Sequence, residues 1–133
     1  MHRETALQFR DDVAGDAVLE VMRKDIADGG NVISVYIHIP FCKSKCDYCD
    51  FCSFVPNNKG VVEHYTDALI LQMEDWSSRC RNYTIDSVYI GGGTPTALPD
   101  AELVRLIRGI KKNFDLTKRA EFTVEANPAT VTL

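Results

Sequence analysis

The chain lacks the segments that mark membrane-spanning and secreted proteins. None of its 133 residues fall in a run of the ~18 consecutive apolar residues that a transmembrane helix needs. The first residues, Met1 to Thr5, contain an acid and lead into no apolar core, so we expect no signal peptide. An excess of positive charge is missing too, because 15 Lys and Arg face 19 Asp and Glu, and this argues against a nucleic-acid partner. What remains, with 45% hydrophobic and 26% charged residues, is typical of a globular domain.

Cysteine is the residue type whose distribution is most informative. The chain has five cysteines, and four of them lie between positions 42 and 52. An odd number without a signal peptide does not suit a disulfide framework. In a reducing compartment such a cluster is more typical of metal binding or redox chemistry, and we therefore expect a cytoplasmic protein.

The apolar pattern predicts an α/β fold after an N-terminal leader. Valines and alanines between residues 13 and 21 recur at helical spacing and precede Gly29-Gly30, so residues 1–31 are predicted to form a leader with one packing helix. Strands and helices then alternate, which implies parallel strands with right-handed crossovers. Strands are predicted at 32–39, 85–90 and 120–126, and helices at 61–81 and from about Pro99.

Three strands are too few to close a barrel, since a complete eightfold barrel takes roughly 250 residues. We therefore expect residues 32–133 to be the N-terminal part of a longer core, with an unpaired edge on the third strand. The first strand is apolar enough to be predicted as buried on both faces.

Cys42, Cys46 and Cys49 follow the first strand with the spacing C-x3-C-x2-C. Three thiolates would leave one iron of a [4Fe–4S] cluster open to an external ligand, an arrangement that favours chemistry over a purely structural role. Cys52 is a possible fourth ligand, which would instead make a closed electron-transfer or zinc site. The spacing alone leaves iron–sulfur, zinc and buried free thiols open, whereas Cys80 lies on a helical apolar stripe and is expected in the core.

Two further features follow the second and third strands. The glycine turn (Gly91-Gly92-Gly93-Thr94-Pro95) lets the backbone pass close to a ligand, although it is also compatible with a plain connecting loop. It is not a phosphate loop, because no G-K-[ST] follows it. Glu125 ends the third strand, where a carboxylate is costly unless paired, or else is simply an exposed acid at the strand end.

The sequence YIHIPFCKSKCDYC, from Tyr36 to Cys49, resembles the radical S-adenosylmethionine (SAM) superfamily. It is most similar to the branch that contains oxygen-independent coproporphyrinogen III oxidase, heme chaperones and heme-utilisation methyltransferases. This resemblance implies a partial parallel (β/α)6 barrel, of which the chain holds the first three βα units. It also implies a tetrapyrrole substrate or heme as a partner, and an electron donor such as flavodoxin or ferredoxin.

The resemblance further implies the site. Cys42, Cys46 and Cys49 would hold a [4Fe–4S] cluster whose open iron binds the amino and carboxylate groups of SAM. One electron would then cleave the sulfonium and release a 5′-deoxyadenosyl radical. The residues that the resemblance assigns to SAM binding are Tyr36, Tyr48, Gly92, Gly93, Thr94 and Glu125.

One departure from the family pattern bears on the reaction. Decarboxylating oxidases of the branch carry a cysteine two places after the third ligand, whereas this chain has Phe51 there and Cys52 one place later. The prediction therefore moves toward the heme chaperones and the heme-utilisation enzymes. Three hypotheses stay open: an oxidoreductase or methyltransferase acting on a tetrapyrrole, a heme chaperone that keeps the cluster and SAM, and a closed-cluster ferredoxin-like or zinc module. The isolated chain is expected to be poorly stable and inactive.

Overall fold

The computed structural model of the chain describes residues 5–7, 18–25, 31–43 and 55–131. These residues form one sheet in the order β1-β2-β3-β4-β5, and two α-helices. The strands are β1 (Thr5–Leu7), β2 (Val18–Asp25), β3 (Asn31–Ile39), β4 (Thr84–Gly92) and β5 (Leu116–Val124), and the helices are α1 (Lys59–Arg79) and α2 (Asp100–Asn113).

The second half of the sheet has the predicted α/β architecture. β3, β4 and β5 are parallel, and α1 and α2 make the connections between them. The register sets Tyr36 opposite Tyr89, and Tyr89 opposite Thr123. The α/β prediction of three parallel strands in sequence order is thus confirmed, with β5 beginning a few residues before the predicted position.

The prediction of an N-terminal helix from the spacing of the valines is wrong for the residues that the structure describes. Val18 to Asp25 form strand β2, which pairs antiparallel with β3 from Val18 opposite His38 to Asp25 opposite Asn31. The helical spacing covers too few residues to favour a helix strongly. A strand at this position instead pairs the backbone N–H and C=O groups of β3, which would otherwise lack partners on that side. Residues 13 and 17 lie outside the described residues, and the proposed domain boundary between 31 and 32 stays a prediction.

Both helices pack on one face of the sheet. Alternate residues of β3, from Ile33 to Ile39, are buried there with the inward faces of α1 and α2. Leu69, Met73 and Leu106 from the helices are completely buried, and each such side chain stabilises the fold by about 1.5–3 kcal/mol relative to exposure. Cys80 joins this core as predicted, and its burial raises the pKa of the thiol, an effect that nearby Arg79 partly opposes.

The other face of the sheet is polar and partly open, so the prediction that β3 is buried on both faces is wrong. Tyr36 and His38 are half-buried on this face, and Tyr89 of β4 is 41% exposed. Deeper in the sheet the hydroxyls of Ser34 and Ser87 lie 2.7 Å apart. Strand alternation therefore gives the chain an apolar face under the helices and a polar, aromatic face open to other groups.

Two further features complete the described fold. β5 is paired on its β4 side, and the described residues supply no neighbour on its other side, as predicted for the third parallel strand. Neither of the two described α-helices is long and apolar enough to cross a membrane.

Candidate functional site

The carboxyl ends of the three parallel strands meet at one edge of the sheet. Cys42 follows β3, the glycine turn closes β4, and Glu125 follows β5. In open α/β sheets ligands bind outside the carboxyl ends of the strands, so this edge is the expected position of a site.

The cysteine segment, residues 40–43 after β3, is hydrogen-bonded directly to the glycine turn. The N–H of Gly93 donates to the carbonyl of Ile39 at 2.7 Å, and the N–H of Thr94 donates to the carbonyl of Phe41 at 2.7 Å. The hydroxyl of Thr94 donates to Cys42 Sγ at 3.8 Å. The parallel pairing of β3 and β4 therefore continues past the strands and holds the first predicted cluster ligand, half-buried, against the turn.

Two glycines of this turn are required by close approach. A Cβ at Gly93 would lie 2.6 Å from the carbonyl oxygen of Phe41 and 3.0 Å from Cys42 Sγ. Gly92 has a φ of +116°, and a Cβ there would lie 2.7 Å from ring atoms of His38. Only glycine adopts that backbone conformation readily, so the sequence at this point is set by the backbone and by the proximity of the cysteine segment.

Glu125 is paired through both of its carboxylate oxygens. The hydroxyl of Tyr89 donates to Oε1 at 2.6 Å, and the N–H of Gly92 donates to Oε2 at 3.1 Å. The hydrogen bond to Glu125 is the main reason that the pKa of Tyr89 is raised above its ordinary value, with desolvation and the negative charge adding to it. The alternative that Glu125 is simply an exposed acid at the strand end is therefore wrong, because its carboxylate is partly buried and accepts two hydrogen bonds.

Aromatic side chains line the polar face beside these groups. The rings of Tyr36 and Tyr89 stack with centroids 6.0 Å apart and planes inclined by 25°. The hydroxyl of Tyr36 lies 3.1 Å from His38 Nδ1, within hydrogen-bond distance. From the helical side, the hydroxyl of Tyr65 donates to the carbonyl of His38 at 2.6 Å, which anchors the end of β3 just before the cysteine segment.

An open cleft of about 530 Å³ lies between the glycine turn and the segment after β5. A volume of this size suits a small organic ligand. The segment after β5, which forms one wall of the cleft, is hydrogen-bonded to Thr96 in the turn that follows β4. Thr96 Oγ1 accepts from the N–H of Asn127 and lies in close hydrogen-bond contact with the Thr130 hydroxyl. The residues that line the cleft are Gly93, Thr94, Glu125, Ala126, Asn127 and Pro128.

The structure brings together most of the predicted site residues that it describes. Cys42, Gly92, Gly93, Thr94 and Glu125 share the sheet edge, with Tyr36 on the adjoining polar face.

Residues 44–54 lie outside the described residues, and they include the predicted site residues Cys46, Tyr48 and Cys49 as well as Cys52. Within the described ranges no three His, Cys, Asp or Glu side chains group as a metal site. The complete ligand set therefore stays a prediction.

The sequence interpretation missed Tyr89, which bonds Glu125. A signal for it was present: Ser87 and Tyr89 alternate with the apolar Val88 and Ile90, so Tyr89 had to lie on the open face just before the glycine turn. Its partner, however, is 36 positions away along the chain, and only the register of β4 with β5 brings the two together.

Comparison with known proteins agrees with this fold. The family model described as the radical SAM superfamily matches residues 36–132, and the chain belongs to that superfamily.

Among similar curated proteins are two heme chaperones, each named HemW. The one from Buchnera aphidicola subsp. Schizaphis graminum is 42% identical over 99 residues, and the one from Escherichia coli K12 is 39% identical over 101 residues. Each match covers 74% of this chain and 26% of the relative. An anaerobilin synthase of E. coli O157:H7 is 42% identical over 95 residues, or 68% of this chain and 21% of that protein.

Among solved structures, the coproporphyrinogen III oxidase HemN from E. coli, described as a radical SAM enzyme, is similar with a TM-score of 0.71 and 28% identity. The match covers 77% of this chain and 24% of that structure. The chain thus spans about a quarter of the length of the relatives it matches.

Proposed function

We propose that this chain supplies part of a radical SAM site that holds a [4Fe–4S] cluster through Cys42, Cys46 and Cys49 and binds SAM beside it. The observation that carries the proposal is the convergence of Cys42, the glycine turn and the paired Glu125 on one edge of the sheet. The larger protein function is proposed to concern a tetrapyrrole, because the similar proteins are named as heme chaperones, an anaerobilin synthase and a coproporphyrinogen III oxidase.

The chemistry of the donors fits an iron–sulfur cluster. Cys42 is a free, half-buried thiol at the open end of the sheet, and thiolates are the usual ligands of such clusters. When bound, the cluster supplies a single electron and an open iron position for reductive cleavage of a sulfonium. The chain's own contribution is to hold Cys42 fixed, through the two backbone bonds of the glycine turn and the Thr94 hydroxyl.

The cleft lined by Gly93, Thr94 and Glu125 would receive the amino group of SAM. Glu125 offers a fixed negative charge at the cleft wall, and charge-assisted hydrogen bonds to a carboxylate are stronger than neutral ones. The proposed contacts are Tyr36, Tyr48, Gly92, Gly93, Thr94 and Glu125, of which Tyr48 lies outside the described residues. The open aromatic face formed by Tyr36 and Tyr89 would adjoin the bound cofactor.

Two roles toward the tetrapyrrole follow from the comparisons. In the first, the protein is an enzyme of oxidoreductase or methyltransferase type, as the similarity to anaerobilin synthase and HemN favours. In the second, it carries heme without turnover, as the similarity to HemW favours. An electron donor such as flavodoxin or ferredoxin and a cytoplasmic location belong to both proposals.

Cysteine variants test the ligand set. After anaerobic reconstitution we expect about four irons per chain, and Cys42→Ala, Cys46→Ala or Cys49→Ala to abolish most of the iron and sulfide content. Cys52→Ala should retain it, as should Cys80→Ala, which serves as the control for loss of an unrelated thiol. Equal iron loss in Cys52→Ala, or zinc in place of iron, would reject the proposed site in favour of a closed one.

The two roles are separated by products. Heme titration followed by transfer to an acceptor protein, with no new tetrapyrrole formed, would support the carrier. Formation of a modified tetrapyrrole with consumption of SAM would support the enzyme.

A further inference from the structure

Tyr89 makes a hydrogen bond at the site that packing of the core does not explain. Its hydroxyl donates to Glu125 Oε1 at 2.6 Å, although its ring is 41% exposed and contributes little to the core. The ring keeps a second contact, the stacking on Tyr36, so the orientation of the hydroxyl is fixed from two sides. Because the ring is stacked and the hydroxyl donates to one carboxylate oxygen, we infer that Tyr89 acts through Glu125.

The sheet register explains why these two residues meet. Tyr89 stands opposite Thr123 of β5, and Glu125 follows two positions later on the same face. The long side chain of Tyr89 spans this diagonal, because its hydroxyl reaches Glu125 Oε1. The bond from the Glu125 N–H to the carbonyl of Ile90 continues the pairing and keeps this offset.

The two donors leave Glu125 able to bind a further group. A carboxylate oxygen accepts about two hydrogen bonds, and Tyr89 and Gly92 each use one, on different oxygens. Glu125 also lines the cleft. Without the Tyr89 bond, binding a ligand would have to immobilise a side chain with several rotatable bonds, at a cost in conformational entropy.

We propose that Tyr89 is a positioning residue whose hydroxyl, together with the Gly92 N–H, fixes the Glu125 carboxylate in the orientation that accepts a hydrogen bond from the amino group of SAM. The identity of the ligand rests on the proposed function, whereas the positioning of Glu125 is a property of the chain itself. Tyr89→Phe removes only the hydroxyl and keeps the stacked ring. Tyr83→Phe is the matched control, because it removes a phenol hydroxyl just before the start of β4, about 20 Å away along the strand.

The first measurement needs no cofactor. In the complete 133-residue chain labelled with ¹⁵N, the Gly92 amide reports the bond to Glu125 Oε2. We expect Tyr89→Phe to speed its hydrogen exchange by at least about threefold, and to move its chemical shift toward that of Glu125→Gln. Tyr83→Phe should leave both unchanged. A Gly92 amide that behaves identically in Tyr89→Phe and wild type would overturn the positioning of Glu125 by Tyr89.

The second measurement tests the consequence for binding. SAM is titrated into the anaerobically reconstituted, reduced chain while the electron paramagnetic resonance (EPR) spectrum of the cluster is recorded. Tyr89→Phe should require about threefold to tenfold more SAM for the same spectral change, with an unchanged spectrum before SAM is added. In the Glu125→Gln background, Tyr89→Phe should add less than about twofold, because both changes remove one interaction. An equal, additive loss in that background would show that Tyr89 contacts the ligand directly and would overturn the inference.

Failure of the proposed function has a different signature. If Glu125→Gln leaves SAM binding unchanged, or wild type shows no response to SAM, the ligand assignment is wrong while the Gly92 amide still decides whether Tyr89 positions Glu125. If Glu125→Gln weakens binding but Tyr89→Phe does not, the proposed function stands and the positioning inference fails.

Discussion

A single methyl group at Gly93 should disturb both the stability of the chain and the loading of iron. The Cβ of Gly93→Ala would lie 2.6 Å from the Phe41 carbonyl oxygen and 3.0 Å from Cys42 Sγ. The Phe41 carbonyl oxygen belongs to the backbone and accepts from the N–H of Thr94, so no side-chain rotation can relieve this contact. The cysteine segment must therefore move away from the turn, and overpacking of this kind typically costs about 1–3 kcal/mol.

The control for this substitution is Gly109→Ala in α2. A Cβ there would lie 3.4 Å from side-chain atoms of Ile70 and Met73, which is ordinary contact with side chains that can adjust. Since alanine is favoured over glycine inside a helix by about 0.8–1 kcal/mol, this variant should be neutral or more stable. The two variants thus make the same chemical change with opposite expected signs.

The assay is urea denaturation of both variants, followed by iron analysis after anaerobic reconstitution. Gly93→Ala should lower the free energy of unfolding and the iron content, while Gly109→Ala should retain its full iron content. Wild-type stability and iron content in Gly93→Ala would refute the close packing of the turn against Cys42.

Three further outcomes are expected. Burial raises the pKa of the Cys80 thiol, so an alkylating reagent at pH 8 should modify it slowly in the folded chain and rapidly in urea; equal rates would contradict its core position. The pKa of Tyr89 is raised above its ordinary value of 10.0, so its contribution to stability is fully present below about pH 10 and is lost as the pH rises through the pKa of the folded state. Between pH 9 and 11 the free energy of unfolding should therefore fall more steeply in wild type than in Tyr89→Phe. Parallel curves for the two proteins would contradict the raised pKa. Arg105 of α2 pairs with Asp67 of α1 and, within α2, with Glu102, at a partly exposed position. Arg105→Ala should therefore lower the free energy of unfolding by no more than about 1 kcal/mol, and by less at high salt. A loss of several kcal/mol at any salt concentration would show that these pairs matter more than their exposure suggests.

The strand and helix pattern after residue 31 could be predicted because its apolar periodicity is long and bounded by clear signals. The helix predicted at 61–81 is observed as α1, Lys59–Arg79, with Asn58 accepting from the Val61 N–H at its start. The first half of β5 was missed because Lys118 and Arg119 interrupt its apolar pattern. These charges are exposed on a strand with one described neighbour, a position that tolerates them.

The N-terminal strands could not be predicted because their state depends on a partner. Val18 to Asp25 have a composition compatible with helix or strand, and pairing with β3 decides between them. The cysteine motif and the glycine turn were visible as local sequence. Their contact through Thr94 and Cys42 was not, because it depends on residues 52 positions apart that the parallel register aligns.

The central claim is that three cysteines hold a cluster whose fourth corner is left for SAM. The most direct test is the EPR spectrum of the reduced, reconstituted chain before and after addition of SAM, recorded for wild type and for Cys52→Ala. We expect the same [4Fe–4S] signal in both proteins and the same change in that signal when SAM is added. A wild-type signal that SAM leaves unaltered, together with a response that appears in Cys52→Ala, would show that Cys52 closes the cluster and would contradict the account.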